Sequence, residues 1–182
     1  MKKRSLIIVL SFSALLLQFC KKSDSTDTTT TTSTVLFNNY LNGTLWTPKT
    51  VVATLTYSAT NKTKTFVCTA TDTAGTGKVV LNLTQAATAL DSTLTVQTYS
   101  DTTLCKPMYY TISGSTSTPS GSLKAVYLII SSIDVAKKTI TGTFGFNTTK
   151  YNYDSSGNIV SISSTGVTSG QFNAMPYTFK KQ

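Results

Sequence analysis

The sequence predicts an all-β fold, an antiparallel β-sandwich of about eight to ten strands. Three observations carry this. No segment of useful length has the 3.6-residue apolar period of a helix, whereas several runs alternate apolar and polar residues with a period of two. The composition suits strands: Thr, Val, Ile, Tyr and Phe are abundant, and Ser plus Thr make up 59 of 182 residues. Turn residues punctuate the alternating runs at short intervals. The same strand count also admits a lipocalin-like closed barrel, which stands as the alternative.

The elements follow in chain order. Asn42-Gly43 marks a tight hairpin turn between Phe37–Tyr40 and Thr44–Trp46. Trp46, the only Trp, is expected to plug the core. Val51 to Ser58 turns Val51, Ala53, Leu55 and Tyr57 one way and Thr54, Thr56 and Ser58 the other. Asn61 lies in the next turn, and Cys68 shares the parity of Phe66. Ala74 to Gly77 is a third turn. Lys78 to Thr84 directs Val79, Leu81 and Leu83 to one face. Ser113 to Gly121 reads as a longer loop. Leu123 to Ile130 is apolar at both parities and is expected in the middle of a sheet, covered on both sides. Asp134 to Lys137 makes a hairpin. In Lys138 to Asn147 the even positions carry Ile140, Gly142, Phe144 and Phe146, and the odd positions are mainly Thr. Asp154 to Asn158 is the last clear turn.

Ahead of this domain, expected over residues 35–182, the chain carries an address. Lys2, Lys3 and Arg4 precede an apolar run, Leu6 to Leu17, that is shorter than the ~20 residues a membrane span needs. That pattern reads as a signal peptide over residues 1–19. Leu17-Gln18-Phe19-Cys20 resembles a bacterial lipobox, with Phe19 where the motif prefers a small residue. Cys20 is therefore the expected lipidation site, with palmitate-type acyl chains as the anchor. Residues 20–34 form a Ser/Thr-rich tether with nothing to bury. The expected location is the outer membrane, facing either the surface or the periplasm.

Composition also excludes chemistry. With no His, a Ser-His-Asp or Cys-His apparatus and a His-based zinc site are impossible. With no Glu, carboxylate work falls to seven Asp, most of them in predicted turns. The sequence therefore predicts no enzyme, no metal and no cofactor. Cleavage before Cys20 would remove the only Arg and lower the net charge from +9 to +6. The remaining Lys are scattered, so no nucleic-acid partner is expected. Gly75-Thr76-Gly77-Lys78 has Asp72 where a phosphate loop needs Gly, and reads as a hairpin turn. Asp154, Ser156 and Asn158 lack the distal Glu of a calcium loop and read as a surface turn.

Three groups of candidate residues remain. Cys68 and Cys105 are the cysteines left after Cys20, and in an exported chain they are a candidate disulfide closing 38 residues. Tyr151 and Tyr153 share a strand face beside Lys150, Asn152 and Asp154, and are candidate aromatics for a sugar ring or a protein partner. Five of the seven Asp begin an Asp-Ser/Thr triplet with a small, apolar or Thr third residue.

Two motifs carry a family likeness: Asn42-Gly43-Thr44-Leu45-Trp46 near the start, and Gly142-Thr143-Phe144-Gly145-Phe146 followed by Gly170-Gln171-Phe172 near the end. On these the chain resembles small Bacteroidetes lipoproteins of unknown function, over about Phe37 to Tyr177. The resemblance implies outer-membrane tethering and an all-β fold, and supplies no catalytic residue. The Asp triplets resemble the O-glycosylation signal of Bacteroidetes envelope proteins, which makes Thr28, Thr73, Ser92 and Thr102 candidate glycan attachment sites. The functional expectation is a membrane-anchored, non-catalytic envelope lipoprotein that binds a glycan or a protein. The alternatives are an adhesin-like assembly subunit and a lipocalin-like carrier of an apolar ligand.

Overall fold

The computed structural model describes residues 36–182 and contains twelve strands and no helix. In order they are β1 (Phe37–Leu41), β2 (Thr44–Trp46), β3 (Thr50–Ser58), β4 (Thr63–Thr71), β5 (Gly77–Ala86), β6 (Thr98–Tyr99), β7 (Met108–Ser113), β8 (Thr116–Pro119), β9 (Ser122–Asp134), β10 (Thr139–Tyr153), β11 (Ile159–Pro176) and β12 (Thr178–Lys181). They form two six-stranded sheets, ordered β2-β1-β11-β10-β9-β6 and β12-β3-β4-β5-β7-β8. All pairings are antiparallel except β12 with β3. Each sheet ends on two free strands, so the fold is a sandwich and the closed-barrel alternative is set aside. The lipocalin-like carrier loses its architecture with it.

The core lies between the sheets. Phe37, Leu128, Ile130, Ile140, Phe144, Val167 and Phe172 come from the first sheet, and Leu55, Phe66, Cys68, Val79, Leu81 and Leu83 from the second. Contact across the interface is direct: Cys68 Sγ lies 3.5 Å from Met175 Sδ. Trp46 is half-buried at the rim, edge-on to Phe37 with ring centroids 6.5 Å apart.

Register explains the two Gly-x-Phe motifs. β10 and β11 pair Gly142 with Phe172, Thr143 with Gln171 and Phe144 with Gly170. Each Phe ring therefore lies over the other strand's glycine. A Cβ on Gly170 would sit 2.5 Å from Phe144 Cζ, and one on Gly142 the same distance from Phe172 Cζ. The rings stack at 6.3 Å, and Phe37 closes on Phe144 at 5.1 Å. The spacing is thus a reciprocal fit of large to small across one ladder.

The alternating runs behave as their parity predicts. Val79, Leu81 and Leu83 are buried on β5, and Ile140, Phe144 and Phe146 on β10. The first hairpin turn places Asn42 at φ 50° and Gly43 at φ 83°, the paired left-handed conformation of a type I′ turn. Three expectations fail. The strand count is twelve, because β6, β8 and β12 are short and lack a clear apolar alternation. Ser113 to Gly121 is not a loop: β7 and β8 form a hairpin there, pairing Tyr110 with Pro119 and Ser113 with Thr116. β9 is not covered on both faces. Val126, Leu128 and Ile130 face the core, but Ala125 and Tyr127 are exposed and Ile129 is half-buried. β9 lies next to the two-residue edge strand β6, and its outward apolar residues furnish a surface instead.

Candidate functional site

A concavity of about 450 Å³ sits where the chain passes from β8 to β9 and lies against the far half of β10. Gly121 makes this crossing possible. Its φ of +147° is one that side chains resist, and a Cβ there would fall 2.5 Å from the Thr149 carbonyl carbon and 2.8 Å from Lys150 N. The crossover thus rests directly on the β10 backbone. Two hydrogen bonds hold it: Ser120 Oγ and Thr148 Oγ1 are 2.7 Å apart, and Ser120 N donates to the Tyr109 carbonyl at 2.9 Å. Thr148 is fully buried, so this hydroxyl pair is a fixed support.

Above that support the groove is lined by Thr118 and Pro119 on one side and by Thr149, Lys150, Tyr151 and Tyr153 on the other. Tyr151 and Tyr153, the two aromatics singled out by strand parity, are brought together here. Their exposures are 38% and 59%. The Lys124 ammonium stands 5.6 Å from the Tyr151 ring centroid, within cation–π range. No lining residue is acidic. The acid nearest in sequence, Asp154, turns its carboxylate onto the amides of Ser156 (2.9 Å) and Asn158 (2.8 Å). These hydrogen bonds hold the Asp154 carboxyl below its ordinary pKa, with those from Asn158 the largest cause. The site therefore offers exposed aromatic faces, hydroxyls and ammonium groups, a set suited to binding. Sequence reasoning missed Lys124 and the Pro119–Gly121 crossover, which only tertiary packing brings to the tyrosines.

The cysteine expectation is corrected. Cys68 and Cys105 are both free and buried. β5 stands between them, with Cys68 registered opposite Leu81 on one side and Cys105 bridged to Leu83 on the other. Two strand spacings of ~4.8 Å place their backbones beyond the ~7 Å a disulfide spans. Burial pushes both thiols up to about 12, so neither is a thiolate near neutral pH.

The Asp triplets acquire a local role. In Asp91-Ser92-Thr93 the Asp91 carboxylate accepts from Thr93 N at 2.8 Å and from the Thr93 hydroxyl. In Asp101-Thr102-Thr103 the Asp101 carboxylate accepts from Thr103 N and Oγ1, both at 2.7 Å. First and third residues satisfy each other, an Asx-turn, and the middle hydroxyl makes no such contact. Thr73 and Thr102 are exposed and Ser92 is half-buried. Thr28 and Cys20 lie outside the described residues. Among those residues no three Cys or Asp side chains group to hold a metal ion.

One functional-looking feature escaped the sequence reading. Lys64 is buried at a core-facing position of β4, and its ammonium pairs with Asp91. The signal was available, because Lys64 shares the parity of Phe66, Cys68 and Ala70. The pair closes one end of the sandwich and is structural.

Comparison with protein-family models, with curated proteins and with solved structures gives no match.

Proposed function

We propose that the protein is a lipid-anchored envelope lipoprotein that binds a glycan, without catalysis, in the Tyr151–Tyr153 groove. The observation that supports this best is the joint placement of two exposed Tyr rings with hydroxyls and ammonium groups in one fixed concavity. Sugar rings present C–H faces to aromatic rings and hydroxyls to polar rims. The anchor at Cys20 and the tether would hold this groove clear of the membrane.

The double variant Tyr151→Ala/Tyr153→Ala is expected to weaken glycan binding about tenfold or more, from ~0.5–1.5 kcal/mol per aromatic contact. Its unfolding free energy should stay within ~0.5 kcal/mol of wild type, because both rings are surface residues. Calorimetric titration with a hit from a glycan screen measures the first quantity, and denaturant melts the second. Unchanged affinity would remove the groove from the account.

A second reading, an assembly subunit, has its own support. β1 takes up β11 only from Val167 onward and the β1–β2 turn binds Gly166 through Asn42, so Ile159 to Thr165 face a partner strand on one side alone, β10. Ile159, Val160 and Ile162 are more than half exposed, and the stretch holds no Lys or Pro. The terminal strands of both sheets are blunted: β12 carries Lys180 and Lys181, β8 ends on Pro119, and β2 and β6 have three and two residues. An assembly built on this edge would show concentration-dependent sedimentation that Ile162→Lys abolishes. A wild type that sediments as a monomer at every concentration counts against it.

A further inference from the structure

Building on the glycan reading of the Tyr151–Tyr153 groove, we infer a second subsite at Tyr127, so that the ligand is a linear uronate-bearing polysaccharide laid along the outer face of β10. Gly145, Asn147, Thr149, Tyr151 and Tyr153 alternate along that strand, while Phe146 and Thr148 between them are buried and face the other way. Tyr127 of β9 is registered opposite Gly145 and lies flat across it. A Cβ at Gly145 would meet Tyr127 Cε1 at 2.5 Å and Cζ at 2.7 Å, so any other residue would lift the ring from the sheet. Beside the ring runs a trough of about 150 Å³, whose polar lining comes from Asn147 and Thr168.

Both concavities thus lie on one strand. Gly145 and Tyr151 are six residues apart, or ~20 Å at ~3.3 Å per residue. Only Asn147 and Thr149 project between them on that face, and both are small and polar. The path suits an extended chain of several sugar units with a ring platform at each end. No residue lining either concavity is acidic, and Lys150 lines the first. Lys124 makes the charge preference sharper. Its ammonium lies over Tyr151, where a neutral sugar stacking on the ring displaces it. A uronate can stack and keep the ammonium as its counter-ion.

Isothermal titration of the full chain with oligogalacturonates of increasing length, and with neutral xylan and β-glucan oligomers, tests this. The expected result is at least tenfold tighter binding of long uronate chains than of the disaccharide, weakening as salt is added. Tyr127→Thr, which keeps a strand-forming residue, should remove that length dependence and leave disaccharide affinity unchanged. Tyr127→Phe should retain it, and exposed Asn147→Ala should reduce it if Tyr127→Thr fails to fold. Lys124→Gln should narrow the preference for uronate. Long chains bound as well by Tyr127→Thr and Asn147→Ala as by wild type would overturn the second subsite. Neutral oligomers bound as tightly as uronates would overturn the ligand class. Both outcomes leave the groove reading standing. Binding that survives Tyr151→Ala/Tyr153→Ala, or no binding of any glycan, would overturn that reading and this inference with it.

Discussion

Gly142→Ala is expected to lower the stability of the domain by about 3 kcal/mol or more. The new methyl would overlap the Ile129 carbonyl oxygen and lie 2.5 Å from Phe172 Cζ. The first obstacle is backbone, so relief requires moving β9 and not merely a rotamer. The second is a fully buried ring stacked on Phe144, and shifting it disturbs Phe37 as well. Overpacking of this kind costs about 1–3 kcal/mol when side chains alone adjust, and more when a ladder must shift. Gly142 also sits at register shifts on both sides of β10, where the hydrogen-bond ladder is already locally disrupted. Gly166→Ala is the control. Its nearest neighbour is Asn147 Oδ1 at 3.3 Å, and its loss should be below ~1 kcal/mol. Denaturant melts read both, with the midpoint falling for Gly142→Ala. Equal midpoints for the two variants would contradict the reciprocal Gly-x-Phe fit.

The second large effect belongs to the Lys64–Asp91 pair. Lys64 is 4% exposed at its side chain and Asp91 40%. Removing one partner of a fully buried pair costs about 3–5 kcal/mol, because the other charge is left uncompensated. Asp91 is reached by solvent, so Asp91→Ala should cost less, about 2–3 kcal/mol. Lys64→Met, which removes the buried charge and keeps the volume, should fall within about 1 kcal/mol of wild type. This asymmetry is the signature of a desolvated lysine, and equal losses in the two variants would contradict it. The pH dependence follows. The Lys64 hydrogen bond, with help from Thr93, lowers the Asp91 pKa from 3.8 to about 2. A carboxyl depressed in the folded state stabilises it above the unfolded pKa and loses that contribution as pH falls through the folded one. Wild type should therefore lose stability between about pH 4 and pH 2 by more than Asp91→Ala does.

These two effects also mark what the sequence could say. The alternation of β5 and β10 was legible because each carries a run of apolar inward residues, Val79, Leu81 and Leu83 on one and Ile140, Phe144 and Phe146 on the other. So was the shared face of Tyr151 and Tyr153, since parity survives wherever the strand continues. Lys64 was hidden because a charge at an inward position breaks the apolar pattern, although its parity is that of Phe66. β8 was hidden because Thr116 to Pro119 has no apolar alternation and is wholly exposed, an edge strand made by pairing and not by burial. β9 misled in the opposite direction: Tyr127 is apolar and outward because it covers Gly145, a contact between strands that no single run reveals. Cys68 has an inward parity, but β5 separates it from Cys105, and register is set only when strands are ordered in the sheet. Likewise, half the groove was readable. The Tyr pair came from periodicity, whereas Lys124, Pro119 and Gly121 join it through the β8–β9 crossover.

The central claim is that a glycan occupies the groove of Tyr151 and Tyr153. Hydrogen–deuterium exchange of the full chain, with and without a saturating glycan from the screen, tests it most directly. Slowed exchange is expected in two segments, residues 118–122 and 149–153, which meet only in the folded groove. Slowed exchange that misses both segments, or none at a concentration that saturates binding, would contradict it.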